Sequence, residues 1–122
     1  MKSDRLNSKL RTIFKELLSD GFRKTDITNI TFGMNRLDQT TQFVENNRDL
    51  GLKPLNPIFD GLGFELHLVP ILKDDYTSKE IVDNITTESL YALRMLMLDY
   101  LDNKRNKKNN LDTFILKLIN NP

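Results

Sequence analysis

The sequence predicts a mostly α-helical fold with one or two short β-strands. Apolar residues recur at three- and four-residue intervals over most of the 122 residues, which is the period of amphipathic helices. Gly21, Gly33 and Gly63 follow such segments, as glycines that end helices do. Only residues 64–71 alternate apolar and polar side chains in the manner of a half-buried strand.

The first predicted helix covers residues 5–18. Asp20 and Gly21 end it, because glycine readily adopts the left-handed conformation that follows many helices. Phe22 can then fold back onto the same core. The apolar stripe of this helix consists of Leu6, Leu10, Ile13, Phe14, Leu17 and Leu18.

Two short helices are predicted next. Residues 25–32 form the first, with Thr25 or Asp26 as its cap and Gly33 as its end. The second runs to about Glu45 and begins at Asn35 or Asp38. Its core-facing residues are expected to be Leu37, Thr41 and either Phe43 or Val44.

A fourth helix is predicted at about residues 55–62. Pro54 and Pro57 stand near its start, where proline is tolerated because the first N–H groups have no partner in the helix. The predicted strand 64–71 follows, and Pro70 favours an edge position or the end of the strand. Such a strand could pair with its copy across a dimer axis.

The last third of the chain is predicted to contain several helices. The pattern favours helices over residues 79–84 and 87–102, then a basic, Asn-rich turn over 103–110 and a last helix capped by Asp112. The basic run 104–108 could contact phosphates or be an exposed turn. The face that belongs either to the core or to a dimer interface consists of Leu90, Leu93, Met97 and Leu101.

The charge is distributed unevenly, although the net charge is only +1. Residues 1–54 carry ten basic and seven acidic side chains, residues 55–103 carry three and nine, and residues 104–122 carry five and one. A protein that coats nucleic acid without sequence preference is usually more basic, because phosphate neutralisation drives that binding. A sequence-specific reader with a short basic face fits this balance.

Several classes of function lack their usual residues. The chain has no cysteine, which excludes disulfides and thiolate chemistry and fits a reducing cytoplasm. His67 is its only histidine and is expected at the surface. The adjacent carboxylates of Asp74 and Asp75 are expected to be solvated. We expect no enzyme activity, no cofactor, no metal and no membrane span, with a small carboxylate-based enzyme as the remotest alternative.

The order of the first four helices predicts a helix-turn-helix. In such a unit two short helices cross, and the second lies in the major groove of DNA. Helix 35–45 suits this role, because arginine pairs with guanine and glutamine or asparagine with adenine. The alternative is that the polar side of this helix, with Arg36, Gln39 and Gln42, is simply solvated and contacts no base. The candidates for base contact are Asn35, Arg36, Gln39, Thr40 and Gln42, and those for backbone contact are Lys24, Thr25, Asn47, Arg48 and Lys53.

Four stretches carry a resemblance to a known family. They are Gly21-Phe22, Phe32-Gly33-Met34, the run from Phe43 to Asp49, and Leu55–Leu68, which reads LNPIFDGLGFELHL. Through them, residues 5–72 resemble the Xre/Cro-like helix-turn-helix repressors, which include antitoxin-type repressors. The resemblance implies a lambda-repressor-like fold, sequence-specific binding to double-stranded DNA for transcriptional control, and a two-fold homodimer.

The segment also departs from the family pattern in its second and third helices. Thr28 or Asn29 stands where the family has a small residue, and Thr40 or Thr41 replaces an apolar one. The span between Gly33 and Glu45 is about two residues longer than is typical of the family.

These features divide the chain into a DNA-binding domain, residues 1–72, and a helical extension, residues 73–122, that packs on it or drives dimerisation. An alternative function is a protein-binding inhibitor or adaptor, of the kind phages and mobile elements encode, which uses a similar scaffold to grip a toxin or a host protein. The acidic block 55–103 favours this alternative, because it would meet a basic partner and repel DNA.

Overall fold

The structure is a computed structural model that describes the backbone of residues 3–120 and the side chains of residues 5–104. Within that range the fold is mostly α-helical, as predicted. The helices are α1 (Ser3–Ser19), α2 (Lys24–Thr31), α3 (Leu37–Val44), α4 (Leu52–Gly61) and α5 (Tyr76–Asn120).

Helix α1 forms the centre of the core. Its predicted stripe is confirmed, since Leu10, Phe14 and Leu17 are fully buried. The helix ends where the sequence predicts: Gly21 has φ +90°, and the N–H of Phe22 donates to the Leu17 carbonyl at 3.2 Å. This left-handed ending satisfies a carbonyl that the helix leaves without a partner.

Three phenylalanines join α1 to the α2–α3 pair. Phe14 meets Phe43 and Phe32 edge-to-face, with ring centroids 5.3 and 6.3 Å apart, and Phe32 meets Phe43 at 6.2 Å. Aromatic pairs in this geometry stabilise a core beyond the area they bury. The cluster therefore fixes how α3 lies on α1.

The turn between α2 and α3 contains two residues with positive φ. Gly33 has φ +104° and Asn35 has φ +63°. Asparagine is one of the few residues besides glycine that adopts this conformation readily. These two left-handed residues let the chain reverse direction between α2 and α3.

Helix α4 begins earlier than predicted. It starts at Leu52, after Gly51, so Pro54 lies in its first turn and Pro57 lies inside the helix. The start predicted at residue 55 was wrong because the helix tolerates a second proline one turn further on. The buried side of α4 consists of Leu55, Ile58 and Phe59.

No β-strand forms between residues 3 and 120. Residues 64–71, which alternate as predicted, adopt an irregular course. The N–H of Phe64 donates to the Phe59 carbonyl at 2.8 Å, and residues 65–71 have no backbone partner in the described chain. A strand needs a neighbour for its ladder of hydrogen bonds, and Pro70 lacks an N–H to contribute. The alternation therefore does not produce a strand within one copy.

Helix α5 is continuous from Tyr76 to Asn120, which corrects the predicted series of shorter helices. The basic run 104–108 lies within this helix and not in a turn, since residues 103–110 contain neither glycine nor proline. The side chains of the last predicted helix, which Asp112 was expected to cap, lie outside the described residues. None of the helices in the described chain combines the length and apolarity of a membrane span.

The middle of α5 packs into the core that α1–α4 form. The four residues predicted to lie in the core or at a dimer interface are buried in this core: Leu90, Leu93, Met97 and Leu101. Polar contacts tie the same helix to α1 and α2. Asp83 pairs with Arg5 and Lys9, Arg94 pairs with Glu16, and Lys104 pairs with Asp26.

Candidate nucleic-acid interface

Helix α3, the predicted recognition helix, presents one side to the core and the other to solvent. Thr40, Phe43 and Val44 are buried, and α3 packs against α1 and α2. Arg36, which precedes the helix, and Gln42 are exposed. The helix therefore offers an uncovered polar side on a rigid support.

The buried side of α3 is centred on Thr40, a residue predicted to face outward. Thr28 donates its hydroxyl proton to the Lys24 carbonyl at 2.7 Å, and the two threonine oxygens lie 2.6 Å apart. Because a hydroxyl carries a single proton, Thr40 must donate to Thr28. Thr40 is thus fully buried and is not available to a base, so this prediction was wrong.

The orientation of α3 about its axis explains the error. Leu37, predicted to face the core, is exposed, and Thr41 is half-buried with its hydroxyl donating to the Leu37 carbonyl at 3.1 Å. Moving the buried set by one residue rotates a helix by about 100°. At the α2–α3 crossing, Thr40 and not the predicted Thr41 faces the core, where it pairs with Thr28.

The remaining candidates for base contact differ in how accessible they are. Arg36 and Gln42 are exposed, whereas Gln39 is half-buried. Asn35 is exposed but lies in the turn before α3, in the left-handed conformation. These four residues lie on or directly before α3, so one interface could use them together.

The candidates for phosphate contact are also unequal. Lys24 pairs with Glu45 at 2.8 Å and its side chain is 27% exposed, so much of its charge is neutralised within the chain. Thr25, Asn47, Arg48 and Lys53 are exposed. Arg48 and Lys53 have no acidic partner among the described residues, and they supply the free charge of the region after α3.

Arg11 holds the end of α3 in place, a role that the sequence analysis missed. Its Nε donates to the Phe43 carbonyl at 2.7 Å, and its guanidinium lies 4.7 Å from the Phe43 ring centroid. Its Nη2 also donates to Asp49 at 2.7 Å. In the sequence Arg11 is one of several polar residues on α1, and no motif distinguishes it.

Asn7 fixes the loop that follows α3. Its fully buried amide donates to the Leu50 carbonyl at 2.8 Å and accepts from the Leu50 N–H at 2.7 Å. These two bonds satisfy both backbone groups of Leu50, which is itself buried. The loop that carries Arg48 is therefore anchored to α1 directly after that residue, by Arg11 at Asp49 and by Asn7 at Leu50.

The rest of the described surface offers little for other chemistry. No group of three or more His, Asp or Glu side chains in the described chain is placed to hold a metal ion. His67 is exposed and has only Glu65 beside it, at 3.3 Å. The groove near α4, beside Asn56 and Phe64, is open to solvent.

Asp74 and Asp75, the adjacent carboxylates singled out in the sequence, serve different purposes. Asp75 caps α5: its carboxylate accepts from the Ser78 hydroxyl at 2.6 Å and from the Ser78 N–H at 3.0 Å. These two bonds lower the pKa of Asp75, with a smaller contribution from Lys79. Asp74 is exposed and makes no comparable contact.

The comparisons with known proteins give no relative from which a function could be transferred. Neither protein-family models, nor curated proteins, nor solved structures match this chain.

Proposed function

We propose that this protein is a sequence-specific DNA-binding regulator of transcription, of the repressor or antitoxin-like kind, which reads double-stranded DNA with α3. One observation carries the proposal: α3 is held firmly by its inner side while Arg36 and Gln42 remain exposed. The long helix α5 packs on α1 and α2 and leaves these two side chains uncovered.

The chemistry of the exposed side suits base edges. Arg36 has the planar fork that forms two hydrogen bonds with guanine, and Gln42 can form two with adenine. Gln39, which is half-buried, would supply a third contact with a base. Arg48 and Lys53, with Thr25 and Asn47 as neutral donors, would fix the register on the phosphates.

The charge balance fits a reader with few phosphate contacts. Glu45 neutralises Lys24, and Asp49 neutralises Arg11. With so few free cations, binding to random DNA should be weak, and affinity should depend on the bases. Two copies bound as a homodimer to paired half-sites would double these contacts.

Duplex selection from a random pool, followed by titration of a selected duplex, tests the proposal. Arg36→Ala should weaken binding roughly ten- to a hundredfold, because one bidentate contact with guanine is lost. Arg36→Lys keeps the charge but not the fork, so it should also lose discrimination at one base position. If Arg36→Lys binds the selected and scrambled duplexes as the wild type does, Arg36 does not read a base.

A protein-binding inhibitor or adaptor is the second candidate, and residues 65–71 favour it. Their backbone has no hydrogen-bond partner in the described chain, and the nearby Leu68, Val69 and Leu72 are 60, 58 and 79% exposed. A segment whose backbone groups are unpaired can add as a strand to the sheet edge of a partner, here a toxin or a host protein.

The two candidates predict opposite results for two sets of variants. The protein-binding function predicts a stoichiometric complex with a partner protein and no duplex binding above the nonspecific level. Leu68→Asp/Val69→Asp should abolish this complex, and Arg36→Ala should leave it intact. DNA binding that follows the reverse pattern would favour the regulator.

A further inference from the structure

The outer side of α5 carries a regular row of exposed residues. They recur at alternating four- and three-residue intervals, the spacing by which helices pair side by side. Their N-terminal part is mostly apolar and their C-terminal part is acidic. We call this row the outer seam: Ile81, Ile85, Glu88, Ala92, Met95, Asp99 and Asp102, all exposed.

The acidic residues of the outer seam have no cation to balance them within the described chain. Glu88, Asp99 and Asp102 make no ion pair with a described residue. The one basic residue on α5 between residues 80 and 103 is Arg94, and Glu16 binds it at 3.0 Å. The outer seam is therefore an apolar and negatively charged surface, suited to a basic amphipathic helix.

The same chain contains a segment with the complementary composition. Residues 105–119, here called the tail segment, carry four basic residues and one acidic residue. Their apolar residues include Leu111, Ile115 and Leu118, again at four- and three-residue intervals. The backbone of α5 is helical through this segment.

We propose that the outer seam of one copy binds the tail segment of a second copy. Apolar residues of the tail segment would cover Ile81 and Ile85, which are 54 and 58% exposed. Its cations would neutralise Glu88 and Asp99. The proposal concerns contact between copies, so it goes beyond DNA binding and does not depend on it.

The spacing also determines the symmetry of the contact. The apolar positions 111, 115 and 118 continue the intervals of the buried Met97 and Leu101, not those of the outer seam. Two different sides of one continuous helix cannot both meet a single partner about one two-fold axis. The contact is therefore head-to-tail, and it extends from copy to copy in a concentration-dependent way.

Sedimentation equilibrium on variants of the full chain tests this arrangement. The seam variant is Ile81→Asp/Ile85→Asp, and the tail variant is Lys107→Glu/Lys108→Glu. A variant with all four changes shows the mass without the proposed contact. The exchanged residues 81 and 85 are more than half exposed, so the fold should be preserved, which circular dichroism will verify.

Wild type should exceed the mass of the fourfold variant as concentration rises, and the excess should shrink in 1 M salt, which screens the charged part of the contact. Each of the two variants alone should match the fourfold variant. Their equimolar mixture should regain mass, because an intact tail segment then meets an intact outer seam. Asp60→Lys, a change at an exposed acid on α4, should behave as the wild type.

Three results would overturn the proposal. The first is a wild type that never exceeds the mass of the fourfold variant. The second is a seam or tail variant that associates as the wild type does. The third is a mixture of the two variants that gains no mass. None of these readouts involves DNA, so they are separate from the outcome of the duplex titration.

Discussion

Thr28 and Thr40 show how single residues determine the orientation of the candidate recognition helix. The Thr40 hydroxyl donates to Thr28, which in turn donates to the Lys24 carbonyl, so both polar groups are satisfied inside the core. An ordinary α2–α3 crossing would need only small or apolar residues there. The hydrogen-bonded pair selects the orientation of α3 in which Arg36 and Gln42 remain exposed.

Valine substitutions test this pair, because valine keeps the shape of threonine and removes its hydroxyl. Thr28→Val leaves the Thr40 proton buried without an acceptor, which should lower the free energy of unfolding by about 1–3 kcal/mol. Thr40→Val should cost less, since Thr28 keeps its bond to Lys24. The double variant should lose less free energy of unfolding than the two single variants lose together, as measured by urea denaturation. Additive losses would show that the pair is not coupled.

Single residues also mark the limit of what the sequence reveals about the site. The glycines that end α1 and α2 are predictable, because few other residues adopt positive φ. Thr40 and Thr41 are equivalent in composition and pattern, and only the packing of α2 against α3 decides which of them is buried. The role of Arg11 is equally unpredictable from the sequence, since it depends on a carbonyl of α3 that lies 32 residues away in the chain.

At the scale of elements, short helices were predicted more accurately than the long one. The ends of α1 and α2 lie close to the predicted positions, because the glycines that follow them are local signals. The predicted caps of α2 and α3 were wrong, since Arg23 and Arg36 stand at the cap positions and neither makes a side-chain capping hydrogen bond. The basic stretch after Leu101 has no breaking residue, and its run of asparagines suggested a turn that the helix does not make. The predicted strand was wrong for a different reason. Its alternating pattern is local, but a strand also needs a hydrogen-bond partner, and residues 65–71 have none in the described chain.

The beginning of α5 depends on the Asp75 cap, and its contribution should depend on pH. Since hydrogen bonds from Ser78 lower the pKa of Asp75 in the folded chain, the charged cap stabilises the fold above the unfolded pKa of about 3.9. That stabilisation is lost as the pH falls through the lower, folded pKa. Asp75→Ala should therefore melt at a lower temperature than the wild type at pH 7, and the gap should shrink below about pH 4.

Asp74→Ala is the matched control for the cap. Asp74 precedes the cap, is exposed and accepts no bond from Ser78, so its removal should change the melting temperature little at either pH. A pH-independent difference for Asp75→Ala would contradict the role of its charge.

At the scale of the whole molecule, the charge distribution separates two surfaces of different chemical character. The region around α3 keeps a few free cations and polar side chains, whereas the outer seam of α5 is apolar and acidic. An acidic block of −6 over residues 55–103 would oppose DNA binding only if it lay beside α3. In the structure, α5 packs on α1 and α2 and leaves Arg36 and Gln42 uncovered.

The most direct test of the DNA-binding account is the ratio of two dissociation constants measured by fluorescence anisotropy at physiological salt. One duplex is the sequence selected from a random pool, and the other has the same composition in scrambled order. A sequence-specific reader should bind the selected duplex at least about a thousandfold more tightly. A ratio near one, with Arg36→Ala/Gln42→Ala unchanged from the wild type, would contradict the account.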